Sequence, residues 1–179
     1  MCMTEAPKPR FISLIGYPAV GKSTLAEQLR SEGFTIISGD AICREMKDAL
    51  GIATLGECYE LHRAEIDAQV DLQLQEALSK RKNIAFDALN ISVPRRSRNL
   101  DLVKNAGGYN LEAVVIYPPE EEEHADRLVR RVFFENRTRA SNAMFQARLE
   151  AEYQPPTHQE GYDVIRYVGV PPKNPLIRM

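Results

Sequence analysis

The stretch "LIGYPAVGKSTL", Leu14 to Leu25, decides the fold. Within it, Gly16 to Ser23 match G-x-x-x-x-G-K-[ST], a loop whose backbone N–H groups cradle nucleotide phosphates. A chain of average composition meets that pattern by accident with probability on the order of one in a hundred or less. The flanks fit as well: "FISLI" before the loop reads as a buried strand, and "STLAEQLR" after it as a helix whose positive N-terminus faces the phosphate. In that setting Gly16, Pro18 and Gly21 shape the loop, Lys22 reaches the β/γ oxygens, Ser23 ligates Mg²⁺, and Thr24 lies toward the α-phosphate. The competing reading is a Gly-rich turn that merely caps a helix.

Working outward, apolar runs alternate with helical spacing along the chain. "FISLIG" (11–16), "FTIIS" (34–38), "NIAFDA" (83–88), "LEAVVIY" (111–117) and "YDVIRYVG" (162–169) read as strands. Between them, "KSTLAEQLRSEG" closes on Gly33 as a helix does, and "GD" at Gly39-Asp40 reads as a loop before a helix beginning "AICREM". Glu57 to about Lys80 carries the longest helical pattern, 93–108 is a helix ending in a double Gly, and 120–153 forms one or two helices. Strand–helix alternation of this kind predicts an α/β three-layer sandwich with a mostly parallel central sheet, one domain over 11–169, with tails at 1–10 and 170–179. Ligands of such sheets bind beyond the carboxyl ends of the strands.

The chain has 179 residues, 44% hydrophobic and 27% charged, the balance of an ordinary globular domain. No apolar run approaches the roughly 20 residues that span a bilayer, and "MCMTEAPKPR" lacks the apolar core of a secretory signal, so a cytoplasmic protein is expected. Cys2, Cys43 and Cys58 have no metal-ligand spacing and read as a tail residue and two packing residues. The net charge of −2 argues against a protein that coats nucleic acid, though not against one that touches a few nucleotides.

Several charged residues fall where the sheet rule places chemistry. Asp40, directly after the second strand, fits a base that takes the proton of an attacking hydroxyl; it also fits an N-cap, and position alone leaves both open. Arg44, one turn on, faces either the same cleft or solvent. Asp87 ends an apolar strand, the place of an Mg²⁺-associated carboxylate, because an acid there is costly without a partner. Asn90 opens the following loop, and Arg95, Arg96 and Arg98 crowd a helix N-terminus, where cations are unfavourable unless they bind an anion or stay solvated. Arg127, Arg130 and Arg131 share a helix face and either serve a lid (about 127–150) or pair with Glu120 to Glu123. Arg137 and Arg139, at "NRTR", are expected as lid arginines that offset charge on a transferring phosphoryl group. His62, His124 and His158 lack partners at metal or triad spacing and read as surface or packing residues.

Taken in order, "LIGYPAVGKST", "SGDAICRE", "FDALNISVPRR" and "ENRTRAS" resemble the kinase domain of polynucleotide 5′-hydroxyl kinases and the wider group of small phosphate-loop kinases. Pro18 and "PPTHQEGYDVI" extend the resemblance, which spans roughly residues 11–169. It implies a P-loop NTPase sandwich with a helical, Arg-bearing lid, and ATP- and Mg²⁺-dependent transfer of the γ-phosphoryl group to a hydroxyl of a nucleic acid, most simply a 5′-OH end. It further implies Asp40 as base, Lys22 and Ser23 in the phosphate loop, and Asp87 and Asn90 as the family's D-x-N or D-x-x-N element. Arg139, with Arg137 beside it, matches the lid arginine, and Arg44, Arg95 and Arg96 would join Asp87 and Asn90 on the acceptor side. Gly39 stands where the family often has Arg, Arg44 lies four residues past the base rather than closer, and the family's phosphatase domain has no counterpart here. Related folds phosphorylate hydroxymethylated bases in phage-type DNA or small-molecule hydroxyls, and a nucleotide-dependent switch is the remaining alternative.

Overall fold

The computed structural model describes residues 7–135 and 139–170, and gives the backbone alone for residues 121, 125, 131–135, 139–143 and 146. Five strands, β1 (Arg10–Ile15), β2 (Thr35–Ile37), β3 (Ile84–Asp87), β4 (Asn110–Ile116) and β5 (Val164–Val168), form one sheet in the order β2-β3-β1-β4-β5. Every neighbouring pair is parallel, with Leu14 opposite Asp87 and Ile37 opposite Phe86. The central strands are apolar nearly without interruption because both of their faces are covered: Phe11, Leu14, Ile15, Ile84, Ala85, Ala113 and Val115 are all at 0% exposure. The edge strand β5 is mostly exposed.

The helices are α1 (Lys22–Ser31), α2 (Gly39–Leu50), α3 (Leu55–Ser79), α4 (Val93–Ala106), α5 (Glu121–Glu135) and α6 (Arg139–Glu152). The right-handed crossover rule puts α1, whose connection runs from β1 out to β2, on the face opposite α3 and α4, whose connections run back across the sheet. The third layer follows, and α3 and α4 lie against one another. The connections diverge around β1: one goes by α1 to the β2–β3 side, while β4 and β5 lie on the other side. The carboxyl ends of β1 and β3 therefore frame the crevice where α/β sheets take their ligands.

Local structure departs from the sequence expectations at informative points. The "GD" pair is no loop: α2 begins at Gly39, because the Ser38 Oγ accepts the Ala41 N–H at 3.3 Å and starts the helix at once. The long helix begins at Leu55 rather than Glu57 and is broken by non-helical angles at His62. The segment 120–153 is two helices, and β1 takes in Arg10 from the expected tail, where its guanidinium pairs with the buried Glu112. Beside the main core, Ile42, Cys43, Cys58 and Ile66 make a second buried cluster that joins α2 to α3. The two thiols donate weakly to carbonyls, Cys43 to Leu55 and Cys58 to Cys43, as packing residues do.

Candidate active site

The phosphate loop connects β1 to α1. Gly16 is obligatory through close approach, since a Cβ there would lie 2.9 Å from the Ile116 carbonyl oxygen and 2.9 Å from a Val20 methyl. Gly21, the N-cap of α1, has φ +105°, a region open to glycine and costly for other residues. The Gly16 N–H donates to the Leu89 carbonyl at 3.2 Å and ties the loop to the segment after β3. Lys22 is buried, and its Nζ donates to the carbonyls of Gly16 (2.9 Å) and Tyr17 (2.7 Å). Ser23 and Thr24 are exposed in the first turn of α1, while Pro18 is buried.

Ser23 and Asp87 meet across the crevice. The Ser23 Oγ donates to the Asp87 Oδ2 at 3.0 Å, joining the end of the loop to the end of β3. A nucleotide-bound Mg²⁺ keeps several waters and needs only one or two protein oxygens. This hydroxyl and this carboxylate fit that demand. Among the described residues there is no cluster of three or more His, Cys, Asp or Glu that could hold a metal ion.

Asp40 lies on the same rim, in the first turn of α2, two residues beyond Ser38, which follows β2, the strand next to β3. Ser38 supplies the helix cap, so the capping alternative for Asp40 is overturned. Its Oδ1 instead accepts a hydrogen bond from the Tyr59 hydroxyl at 2.9 Å. Burial, and then the Asp40 carboxylate itself, push the Tyr59 phenol well above its ordinary pKa, so it remains a donor. The Arg63 guanidinium covers the Tyr59 ring, its central carbon 5.5 Å from the ring centroid. Tyr59 is absent from the sequence expectations, because nothing in the spacing of an exposed-looking helix start marks it.

Two expected acceptor residues are spent on structure. Asn90 is 3% exposed, with φ +50°, and its amide donates to the carbonyls of Leu14 (2.9 Å) and Phe86 (3.3 Å). It ties the ends of β1 and β3 together at the crevice. Arg96 is 1% exposed and makes a bidentate pair with Glu160 at 2.7 and 2.8 Å. The third nitrogen of Arg96, Nη1, donates to the carbonyls of Asn90 and Gln154, both at 2.9 Å. A guanidinium so placed pins the "PPTHQEG" segment and presents nothing to an acceptor.

Other expected residues keep access. Arg44 is exposed one turn after Asp40. Arg95 pairs with Glu152 at 2.9 Å and, with Arg63, Ser92, Pro94 and Gln154, lines an open groove of about 570 Å³. Arg98 is held by Asp71, and Arg127 by Glu123 at 2.6 Å. Arg137 and the side chain of Arg139 lie outside the described residues. His124, expected as a packing or surface residue, is 8% exposed with its Nε2 3.0 Å from the Pro18 carbonyl of the phosphate loop. Sequence spacing could not have found this contact, since 106 residues separate the two.

Comparison with solved structures returns the same architecture. A candidate kinase from Chloroflexus aurantiacus J-10-fl superposes with TM-score 0.67 at 18% identity, over 90% of this chain and 85% of that one. A fungal RNA kinase gives 0.59 at 13% identity, over 96% and 79%. A structure of the PezAT toxin–antitoxin system of Streptococcus pneumoniae gives 0.54 at 20% identity, over 70% of this chain and 54% of that one. At these identities the likeness is one of fold. Comparison with curated protein sequences finds no match. The family model of an AAA domain, AAA_33, matches residues 11–156, and since this covers most of the chain with the phosphate loop, Asp40 and Asp87 inside it, the chain belongs to that family.

Proposed function

We propose that this protein transfers the γ-phosphoryl group of ATP to an alcohol hydroxyl, with the 5′-OH end of a nucleic acid as the leading acceptor. The observation that carries the reading is Asp40. It is an acid on the ligand rim, released from capping by Ser38 and gripped by a half-buried phenol at 2.9 Å. A protein that only binds or slowly hydrolyses nucleotide has no need of such a group.

The chemistry follows from the residues. Loop N–H groups and Lys22 hold the phosphates, Lys22 exchanging its bonds to the Gly16 and Tyr17 carbonyls for phosphate oxygens. Ser23 and Asp87 present the oxygens that would hold Mg²⁺, which when bound would supply positive charge to offset that of the phosphates. The acceptor oxygen attacks the γ-phosphorus in line while the Asp40 carboxylate takes the hydroxyl proton, and ADP departs with the electrons of the broken P–O bond. Arg44, Arg63 and Arg95 flank the approach from the α2–α4 side, and Arg137 and Arg139 are proposed to cover the phosphoryl group.

A second acceptor class, a small-molecule hydroxyl or a hydroxymethylated base, is favoured by the net charge of −2 and by the balanced groove, where Arg63 pairs with Asp67 and Arg95 with Glu152. Transfer of labelled γ-phosphate to a panel separates the readings: 5′-OH DNA and RNA, duplexes with hydroxymethyl bases, nucleosides and small alcohols. Label on 5′-OH polynucleotide is the expected result. Label only on a metabolite or modified base replaces the acceptor, and no transfer to any alcohol overturns the kinase reading.

A further inference from the structure

The α5–α6 arm touches the phosphate loop twice, at adjacent residues. At its entry, His124 on α5 reaches the Pro18 carbonyl. At its exit, the ring of Tyr153, which directly follows α6, packs on the ring of Tyr17 with centroids 5.9 Å apart and planes at 55°. Both loop residues are buried, Tyr17 at 4% exposure. A carbonyl oxygen only accepts, so the facing Nε2 of His124 carries the proton.

The loop needs its carbonyls turned away from the phosphate so that its N–H groups can face it. Three successive carbonyls are taken by side-chain donors: those of Gly16 and Tyr17 by Lys22, and that of Pro18 by His124. A bound phosphate that draws Lys22 to its own oxygens removes two of these restraints together. The His124 bond does not take part in that exchange, because His124 comes from α5 and holds a different carbonyl from the two that Lys22 holds.

We infer that His124 is a positioning residue for nucleotide: it holds the Pro18 carbonyl outward after Lys22 has turned to the phosphates, and through it α5 responds to occupancy of the loop. The inference rests on the reading of Gly16–Ser23 as a nucleotide site, and it adds to that reading a residue from 106 positions away. It is independent of the acceptor.

The test uses a non-hydrolysable ATP analogue with Mg²⁺, read by titration calorimetry, and trypsin cleavage at Arg127 and Arg130 of α5. One lost hydrogen bond predicts that His124→Leu raises the Kd of the analogue by about 3- to 10-fold. His124→Gln, whose amide reaches as far and donates, restores it; His124→Asn, which is shorter, does not. Thermal midpoints are compared across the set, and the Gln and Asn variants keep the test alive where Leu folds poorly. Saturating analogue slows trypsin cleavage of α5 in the wild type and in His124→Gln, and does not in His124→Leu. Wild-type affinity together with wild-type protection in the Leu and Asn variants overturns the role of His124 and leaves the nucleotide site standing. A wild type that binds no analogue overturns the nucleotide reading itself, and this inference with it.

Discussion

The Tyr59 hydroxyl donates to Asp40 Oδ1 at 2.9 Å, from a helix, α3, that Cys43, Cys58, Ile42 and Ile66 hold against α2. One phenol thereby fixes the plane of the carboxylate proposed as the base. Asp40→Asn is expected to lower kcat by roughly 10²- to 10⁴-fold, the usual worth of a positioned base, with analogue Kd unchanged. Tyr59→Phe is expected to lower kcat about tenfold, corresponding to ~1.4 kcal/mol for one hydrogen bond to an ionised group, again without loss of nucleotide affinity. Steady-state transfer assays beside calorimetry decide this. Full turnover in Asp40→Asn would remove the residue from the chemistry.

The Ser23–Asp87 hydrogen bond at 3.0 Å makes a second separable prediction. Where both oxygens serve a shared Mg²⁺, Ser23→Ala and Asp87→Asn each raise the Mg²⁺ concentration for half-maximal turnover by about 10- to 100-fold, and chelation abolishes transfer in the wild type. Titration of Mg²⁺ at saturating ATP measures it. Unchanged Mg²⁺ dependence in both variants would assign the pair to bracing the crevice alone.

How legible the molecule was in its sequence differs by element. The strands at 11–16, 83–88 and 111–117 were readable because a strand covered on both faces shows as an unbroken apolar run, and Phe11 to Ile15 is buried residue by residue. Phosphate-loop chemistry was readable because a short motif keeps all its parts within eight residues, Gly16 to Ser23. Asp40 was half-readable: its place after β2 was clear, whereas the fact that Ser38 takes the cap depends on geometry. Tyr59 and His124 were not readable, since their partners lie 19 and 106 residues away. Arg96 misled for a related reason. An arginine at a helix N-terminus is unfavourable there without an anion, and the anion proved to be Glu160 of the protein itself.

That buried pair can be told from a binding arginine by what its loss changes. Arg96 and Glu160 are 0% and 9% exposed in their side chains, so removing either partner strands a charge away from water. Arg96→Leu is expected to destabilise the fold by about 3–5 kcal/mol in urea unfolding. Arg96→Leu combined with Glu160→Gln costs less than the sum of the singles, because the double variant leaves no orphan charge. The acceptor KM at a temperature where the variant is folded stays near wild type. A raised acceptor KM with unchanged stability would return Arg96 to the binding site.

Alkaline stability supplies the last test, and its sign follows from Cys43. Burial first, then the neighbouring Cys58, push the Cys43 thiol from 9.0 up to about 12 in the folded protein. Between these values the unfolded chain has lost a proton that the folded one keeps. Stability is therefore fully present below pH 9 and declines as pH rises toward 12, at up to ~1.4 kcal/mol per pH unit for one proton. Tyr17 and Tyr162, both raised by burial from 10.0 to about 12, join the decline only above pH 10. The window from pH 9 to 10 thus belongs to the cysteine. Urea midpoints taken across that window should fall in the wild type and stay nearly level in Cys43→Ala, whatever the fixed cost of removing a buried side chain. Equal slopes in the two proteins would show that the thiol ionises as readily folded as unfolded, and the packing of α2 against α3 would then be looser than the Cys43–Cys58 contact describes.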